Sequence, residues 1–452
     1  MIPSLVYLLP LYPLAAQAAL EVDFTSKESI KKAAYQVAED LLSYYHGDEP
    51  GQIPGILPGP PSDGRGDYYW WEGGAMWGAL LDYWHWTEDD TFNDLIYQGL
   101  LFQAGPNADF VNRNWSFSLG NDDQAFWGMS ALIAAETNFR DPPVDEPQWL
   151  ALAQAVWNEQ TDDRLRDGGC GFGLRWQANS LNQGFTYKNT IANGCFFNIG
   201  TRLARYTKND TYTDWSVRTW DWLVAVGYID DDWNVFDGAD ISNNCTVIVK
   251  QQFSYNAAIL LQGSAYLYAY TSDQLWLDRI NGLLDGIERY FFPKGIAVEP
   301  ACETGICTTD MLTYKGFLHR WMAYTAQLVP STSERIMPIL MSSAKAAAAQ
   351  CTGGDNGRQC GFHWESGKFD GVLGAGQQMS VLGALTSLLA LDAKEPVTNS
   401  TGGTSQSNPD AGQSRSPYNE LTPVTTGDKA GAGILTVVAI GFASVSLWWM
   451  VK

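Results

Sequence analysis

Between residues 26 and 392 apolar residues recur with helical spacing, and convincing strand alternation is scarce. That repetition limits the possible folds more than any other feature of the chain. It predicts twelve helical segments: 27–46, 72–86, 91–103, 122–136, 147–160, 188–206, 211–226, 254–270, 273–291, 314–328, 332–350 and 377–391. In chain order they fall into six pairs. The first member of each is amphipathic, as in the spacing of Trp215, Trp220, Trp222 and Leu223. The second is rich in small residues, as in Gly73-Gly74-Ala75-Met76-Trp77-Gly78-Ala79. Small side chains let helix axes approach, so the second members are expected to form an inner ring.

Polar punctuation repeats with the same period. At the start of each second member stands a cluster: Trp70-Trp71-Glu72, Asn121-Asp122-Asp123-Gln124, Tyr187-Lys188-Asn189, Gln251 to Asn256, Thr313-Tyr314-Lys315 and Gly376-Gln377-Gln378. If the inner helices run parallel, all six clusters meet on one face. The predicted fold is therefore all-α, an (α/α)6 toroid over residues 20–394, with long loops such as 106–121 and 161–187 framing a cleft. An open helical solenoid is the alternative, but six pairs with no tract beyond them suit closure better.

The two ends read differently. Residues 1–19 are apolar and finish in Ala16-Gln17-Ala18, a small-x-small pattern expected of a cleaved signal peptide. From Glu395 to Asp428 the composition turns to Ser, Thr, Gly, Pro and Asn, as in an O-glycosylated stalk. Residues 429–452 carry an apolar run from Ile434 to Val451 with only Lys452 after it. This is the pattern of a glycolipid (GPI) attachment signal, with a tail anchor as the competing reading. The expected location is the outer face of the plasma membrane.

Sequons at Asn114, Asn209, Asn244 and Asn399 suit an exported glycoprotein. Seven cysteines suggest disulfides with one thiol left over. Cys302/Cys307 and Cys351/Cys360 are close enough for local bridges, Cys170 and Cys245 are the remaining pair suggested, and Cys195 is then free. A net charge of -22 argues against nucleic acid as a partner. Four histidines and no metal-ligand motif argue against a catalytic metal, and no cofactor is expected. Asp230-x-Asp232-x-Asn234 is read as an acidic turn, because its glycine is misplaced for a calcium loop. A monomer is expected.

The adjacent acids Asp122 and Asp123 carry the chemistry. Two carboxyls at the mouth of an aromatic-rich helix suit glycoside hydrolysis, in which one gives a proton and the other attacks or activates water. The competing reading is helix capping, since acids suit the positive end of a helix. Trp70 and Trp71 are read as sugar-stacking rings, and Asp237 as an acceptor for sugar hydroxyls. Tyr187, Lys188, Tyr255, Lys315 and Gln377 are cleft candidates by their places at helix starts. Trp364, in a Gly-rich loop, is a candidate platform. Ordinary core packing and solvated or turn roles compete at each of these positions.

The motifs resemble glycoside hydrolase family 76, the mannan endo-1,6-α-mannosidase family, in its fungal cell-wall branch. They are Tyr69 to Trp77, Asn121 to Trp127, Tyr187 to Gly194, Ser254-Tyr255-Asn256, Tyr314 to Phe317 and Gly376 to Ser380, and the likeness runs over about residues 25–392. The resemblance implies an (α/α)6 barrel and a retaining mechanism, with Asp122 as nucleophile and Asp123 as acid/base. It implies a donor of α-1,6-linked mannose, in mannan or a GPI-core glycan. For the fungal branch it also implies an alternative activity, transglycosidation of GPI-mannoproteins onto a β-glucan acceptor.

Overall fold

Twelve α-helices stand within a few residues of the segments that periodicity predicts. They are α1 (Lys27–Leu42), α2 (Trp70–Thr87), α3 (Asn93–Gln103), α4 (Asn121–Glu136), α5 (Trp149–Glu159) and α6 (Thr190–Thr207), followed by α7 (Asp210–Ala225), α8 (Ser254–Thr271), α9 (Gln274–Phe291), α10 (Tyr314–Leu328), α11 (Ser333–Ala349) and α12 (Ala375–Thr386). The structure, a computed structural model, describes residues 19–112, 114–115, 118–413 and 426–451. All but the last residue of the expected leader lies outside that range. One boundary shifts for a clear reason. Tyr187–Asn189 form a short strand, β1, antiparallel to β2 (Gly238–Asp240), and α6 begins only at Thr190. The Asn189 side chain caps it, accepting the Ala192 N–H at 3.2 Å.

The even-numbered helices α2, α4, α6, α8, α10 and α12 each pack on the next, and α12 returns to α2, closing the ring. Glycine makes the closure possible at α10 and α12. A Cβ on Gly383 would come 2.8 Å from the Gly316 carbonyl oxygen, and one on Gly316 would come 2.9 Å from that of Met379. Those backbones touch, so no larger residue fits without separating the helices. The outer helices correct the chain-order pairing. α3 lies on α2, α5 on α4, α7 on α6, α9 on α8, α11 on α10, and α1 on α12. Except for α1, each outer helix thus returns along the inner helix before it, in places through links as short as 208–209 and 272–273. All the long connections (43–69, 104–120, 160–189, 226–253, 292–313, 350–374) run from an outer helix to the start of an inner one. They gather on one face, and that face has the material for a binding site.

The opposite ends of the inner helices are tied by buried charges. Arg202 of α6 bonds Glu136 of α4 through Nη2 at 2.7 Å, and Tyr266 of α8 donates to the same carboxylate at 3.1 Å. Arg320 and Tyr324 of α10 both donate to Asp82 of α2 at 2.6 Å. Such groups are tolerated inside only when paired, and these pairs cross-link five of the six inner helices.

The domain extends past the expected boundary at 394. Residues 395–413 lie against it instead of starting a stalk. The Val397 N–H donates to the Glu136 carbonyl at 2.7 Å, the Leu150 N–H to Ser405 Oγ at 3.0 Å, and Asn158 Nδ2 to the Pro409 carbonyl at 2.9 Å. A polar, Ser/Thr-rich stretch can pack when its backbone satisfies partners on the domain. Residues 414–425 are outside the described range. A separate unit holds α13 (Thr426–Val451), whose Lys429–Met450 stretch is long and apolar enough to cross a membrane. The disulfides are Cys170–Cys245, Cys302–Cys307 and Cys351–Cys360, and Cys195 is free and buried. The Asp230 segment is a turn: its Oδ1 accepts the N–H groups of Asp232 and Asn234. All four sequon asparagines are exposed.

Candidate active site

The start of α4 is fixed by the long loop before α6. The Asn121 N–H donates to the Trp176 carbonyl at 2.8 Å, and Asn121 Nδ2 to the Arg175 carbonyl at 2.8 Å. This seats Asp122 and Asp123 in the first helical turn. Asp122 Oδ2 accepts the indole N–H of Trp176 at 2.9 Å, and its Oδ1 accepts the Asp123 N–H at 3.1 Å. Asp123 Oδ2 accepts the Gly120 N–H at 2.9 Å. Asp123 therefore does cap its helix, and it lines a cavity as well; the two roles coexist.

That cavity has a volume of about 500 Å³. Five of the six inner-helix starts contribute to it: Tyr69, Trp70 and Trp71 before and on α2, Asp122, Asp123 and Phe126 on α4, Tyr187 and Asn189 before α6, Phe253 and Tyr255 at α8, and Asp310, Met311 and Tyr314 at α10. Asp237, Trp176 and loop residues such as Trp115, Leu119 and Gln177 line the rest. Tyr255 and Tyr314 stack at 3.8 Å with rings 8° apart. Among the described residues no Lys or Arg lines it. Flat aromatic faces beside carboxylates suit a sugar, which offers C–H faces for stacking and hydroxyls as donors.

The electrostatics separate the acids. Burial is the largest influence on Asp123, with the Gly120 N–H opposing it and Asp310 adding to it, and its pKa rises to about 7. Burial and the neighbouring Asp123 charge push Asp122 up too, against the Trp176 hydrogen bond. Two carboxyls this close share one proton at moderate pH and titrate as a pair. Of the two, only Asp122 has a side-chain donor that favours its anion. Asp237 is raised by burial and accepts the Tyr187 hydroxyl at 2.7 Å. Asp310 is raised by burial, opposed by the Trp71 indole N–H that it accepts at 2.9 Å.

Of the residues singled out from sequence, Asp122, Asp123, Trp70, Trp71, Tyr187, Asp237 and Tyr255 line the cavity. Four do not. Lys188 is buried with Nζ donating to the carbonyls of Arg166 and Gly171, and burial lowers its pKa to about 8. Lys315 is buried against Glu303 and donates to the Phe362 carbonyl at 2.6 Å. Trp364 is core, its ring 5.3 Å from that of His319 and 4.6 Å from Lys315 Nζ. Gln377 is buried one turn into α12, whose first N–H groups meet the Tyr68 hydroxyl at Ala375 (2.9 Å). Sequence reasoning missed Trp176, Asp310, Tyr314 and Tyr69. Trp176 lies in a loop expected to frame the cleft, and Tyr314 stands beside Lys315 in a motif already noted.

A closed ring of helical hairpins with paired acids in an aromatic-walled hollow defines a glycoside hydrolase. Comparison with known proteins specifies which: residues 29–400 match Glycosyl hydrolase family 76, and the chain belongs to that family. Mannan endo-1,6-alpha-mannosidase DCW1 of Saccharomyces cerevisiae is 44% identical over 436 residues, 95% of each chain. Mannan endo-1,6-alpha-mannosidase DFG5 of the same yeast is 40% identical over 442 residues, 96% of this chain and 95% of that one. The crystal structure of Dfg5 from Chaetomium thermophilum in complex with glucosamine superposes with a TM-score of 0.85 at 54% identity, covering 88% of this chain and 98% of that one. The α-1,6-mannanase GH76A of Salegentibacter sp. HEL1_6 shares the (α/α)6 fold at 16% identity, with a TM-score of 0.64 and coverage of 80% and 99%.

Proposed function

We propose that this chain is a retaining glycosidase acting on α-1,6-linked mannose, in mannan or a GPI-core glycan, during fungal cell-wall biogenesis. The observation that carries the proposal is the Asp122–Asp123 pair in the wall of the aromatic cavity, within a chain 44% identical to a named mannan endo-1,6-α-mannosidase. In the first step the Asp122 carboxylate attacks the anomeric carbon while the glycosidic C–O bond breaks. Asp123 gives its proton to the departing oxygen. The product is a glycosyl ester on Asp122. In the second step Asp123, now ionised, takes a proton from water as the water attacks the same carbon, and Asp122 leaves as a carboxylate. Trp70, Trp71, Tyr187, Asp237, Tyr255 and Tyr314 hold the sugar. The relatives' names specify hydrolysis, and hydrolysis is the reading adopted over transfer to β-glucan. The apolar C-terminal helix and the sequons support export and attachment to the membrane through a GPI anchor.

The test is product analysis with an α-1,6-mannotetraose. The parent protein is expected to release shorter oligosaccharides with the α-configuration retained. Asp122→Asn is expected to lose at least a thousandfold in kcat. An initial product of β-configuration would contradict the retaining reading, and full activity in Asp122→Asn would contradict the nucleophile assignment. A labelled β-glucan acceptor in the same incubation distinguishes transfer, which would give a chimeric product mass.

A further inference from the structure

We infer that Asp310, anchored by the indole of Trp71, is a positioning residue for the acid/base, and that its carboxylate in the shared cavity keeps the reactive proton on Asp123. The inference rests on the proposed roles of Asp122 and Asp123 and adds a third carboxylate to them.

Asp310 lies in the short 3-10 turn Asp310–Thr313 that leads directly into α10. Sequence distance from Asp123 is large, yet both acids line one cavity. Trp71 fixes Asp310 by donating Nε1–H to Oδ1 at 2.9 Å. Trp71 is itself fixed, with its ring 4.6 Å from Phe126 of α4 and 6.3 Å from Phe317 of α10. The donor to Asp310 is therefore set by aromatic packing on two inner helices, including the one that carries Asp123. An N–H donated to a carboxyl favours the ionised form. The same device serves Asp122, whose indole partner is Trp176. Two carboxylates thus have indole donors, and Asp123, with only a backbone donor, stands in the field of both.

The other groups around Asp123 do not supply or cancel that charge. Glu72 of α2 is fully buried and pushed well above the usual carboxylate range, chiefly by burial and next by Asp310 itself. Tyr69, Tyr187, Tyr255 and Tyr314 are raised by burial and stay neutral. Cys195 of α6 is raised by burial as well. Asp237, raised by burial as Asp310 is, accepts the Tyr187 hydroxyl, but Asp310 and not Asp237 is among the main influences on Asp123. Among the described residues no cationic side chain lines the cavity. Asp310 is the neighbouring anion that pushes Asp123 upward, and Asp122 titrates with Asp123 as a pair.

The two anions act at different stages. When the glycosyl ester forms, Asp122 loses its charge, and its push on Asp123 disappears. The Asp310 charge persists. It keeps Asp123 a strong enough base to take the proton of the attacking water, just as it kept Asp123 protonated for the first step. A general acid/base works best with a pKa near the working pH in both directions, and a permanent neighbouring charge supplies that poise.

The experiment is the pH dependence of kcat/KM on α-1,6-mannotetraose for the full chain, Asp310→Asn and Asp310→Glu. In Asp310→Asn the basic limb, which reports loss of the Asp123 proton, is expected to move to lower pH by about one unit. Asp310→Glu keeps the charge and is expected to hold the limb within a few tenths of a unit of the parent. A basic limb in Asp310→Asn that coincides with the parent overturns the inference, however far the rate falls at all pH values. If thermal melting shows Asp310→Asn unfolded, Trp71→Phe serves in its place. Without the indole donor Asp310 takes up a proton, so the limb moves in the same direction, and an unmoved limb again overturns the inference. Failure of the underlying assignment looks different. Asp123→Asn would then cleave the tetraose at the parent rate, whereas if only Asp310 is misread Asp123→Asn stays inactive.

Discussion

The indole N–H of Trp176 donates to Oδ2 of Asp122 at 2.9 Å, and the backbone around that indole is pinned on both sides. The Trp176 N–H goes to the Tyr187 carbonyl at 2.7 Å, and its carbonyl accepts the Asn121 N–H at 2.8 Å. Trp176→Phe removes the donor and keeps most of the ring. The donor favours the ionised carboxylate, so its loss raises the Asp122 pKa. A nucleophile must be ionised, and the acid limb of the kcat/KM profile is therefore expected to move to higher pH. A hydrogen bond to a charged group is worth about 1.5–3 kcal/mol, so activity on the acid side should fall roughly ten- to a hundredfold. A pH–rate profile checks this, and an unmoved acid limb would show that the indole only packs.

Gly120 precedes the pair, with φ at -82°, a conformation open to any residue. Space is what restricts it. A Cβ there would come 2.5 Å from Asp122 Oδ1 and 2.9 Å from Asp123 Oδ2. Asp122 cannot swing aside without giving up the Trp176 bond. Gly120→Ala is expected to displace one or both carboxyls and to lower kcat by about a hundredfold, the scale of an ångström of misplacement. Chemical denaturation should change by less than about 1 kcal/mol, since the backbone accepts alanine. A variant that is fully active would mean the acids have more freedom than their hydrogen bonds imply.

The contrast between Gly120 and the lysines shows what the sequence made legible. The repeat of helices gave the inner ring and the face on which the acids lie, because periodicity reports burial directly. Position at a helix start did not say which way a side chain points. On β1 successive residues face opposite sides, so Tyr187 and Asn189 reach the cavity and Lys188 turns into the core. On α10 one residue is a rotation of about 100°, which separates Tyr314 in the cavity from Lys315 behind it. Chain order does not show which inner helix an outer one packs on, because neighbours in sequence look alike whether they pack before or after a turn. Asp310 carried no periodic signal at all, since it belongs to a loop whose path only the tertiary structure sets.

Lys315 tests that distinction. Its ammonium is paired with Glu303, donates to the Phe362 carbonyl, and lies 4.0 Å from the Phe362 ring centre. Lys315→Met is expected to cost about 2–4 kcal/mol, because the half-buried Glu303 carboxylate loses its counter-charge. The folded fraction should keep kcat within about twofold, as Lys315 is not part of the cavity wall. Urea denaturation with kinetics on the same preparation checks both. A stable variant with a large loss in KM would instead return Lys315 to the binding site.

The segment after Asp392 sets the last expectation. A chain ending at Lys394 follows the boundary drawn from composition, and one ending at Gln413 follows the packing. The shorter chain loses the bonds from Val397 to Glu136, from Ser405 to Leu150 and from Pro409 to Asn158. It also loses the acceptor that Arg205 Nη1 finds in the Pro396 carbonyl at 2.8 Å, and the Asn408 N–H that meets Gln154 Oε1 at 2.7 Å. Water replaces some of these partners, so each is worth about 0.5–1.5 kcal/mol net, and together they should lower stability by several kcal/mol. The longer chain is expected to unfold at the same urea concentration as residues 19–428. Equal midpoints for the two truncations would mean that the segment only rests on the helices, and that the compositional boundary is the energetic one.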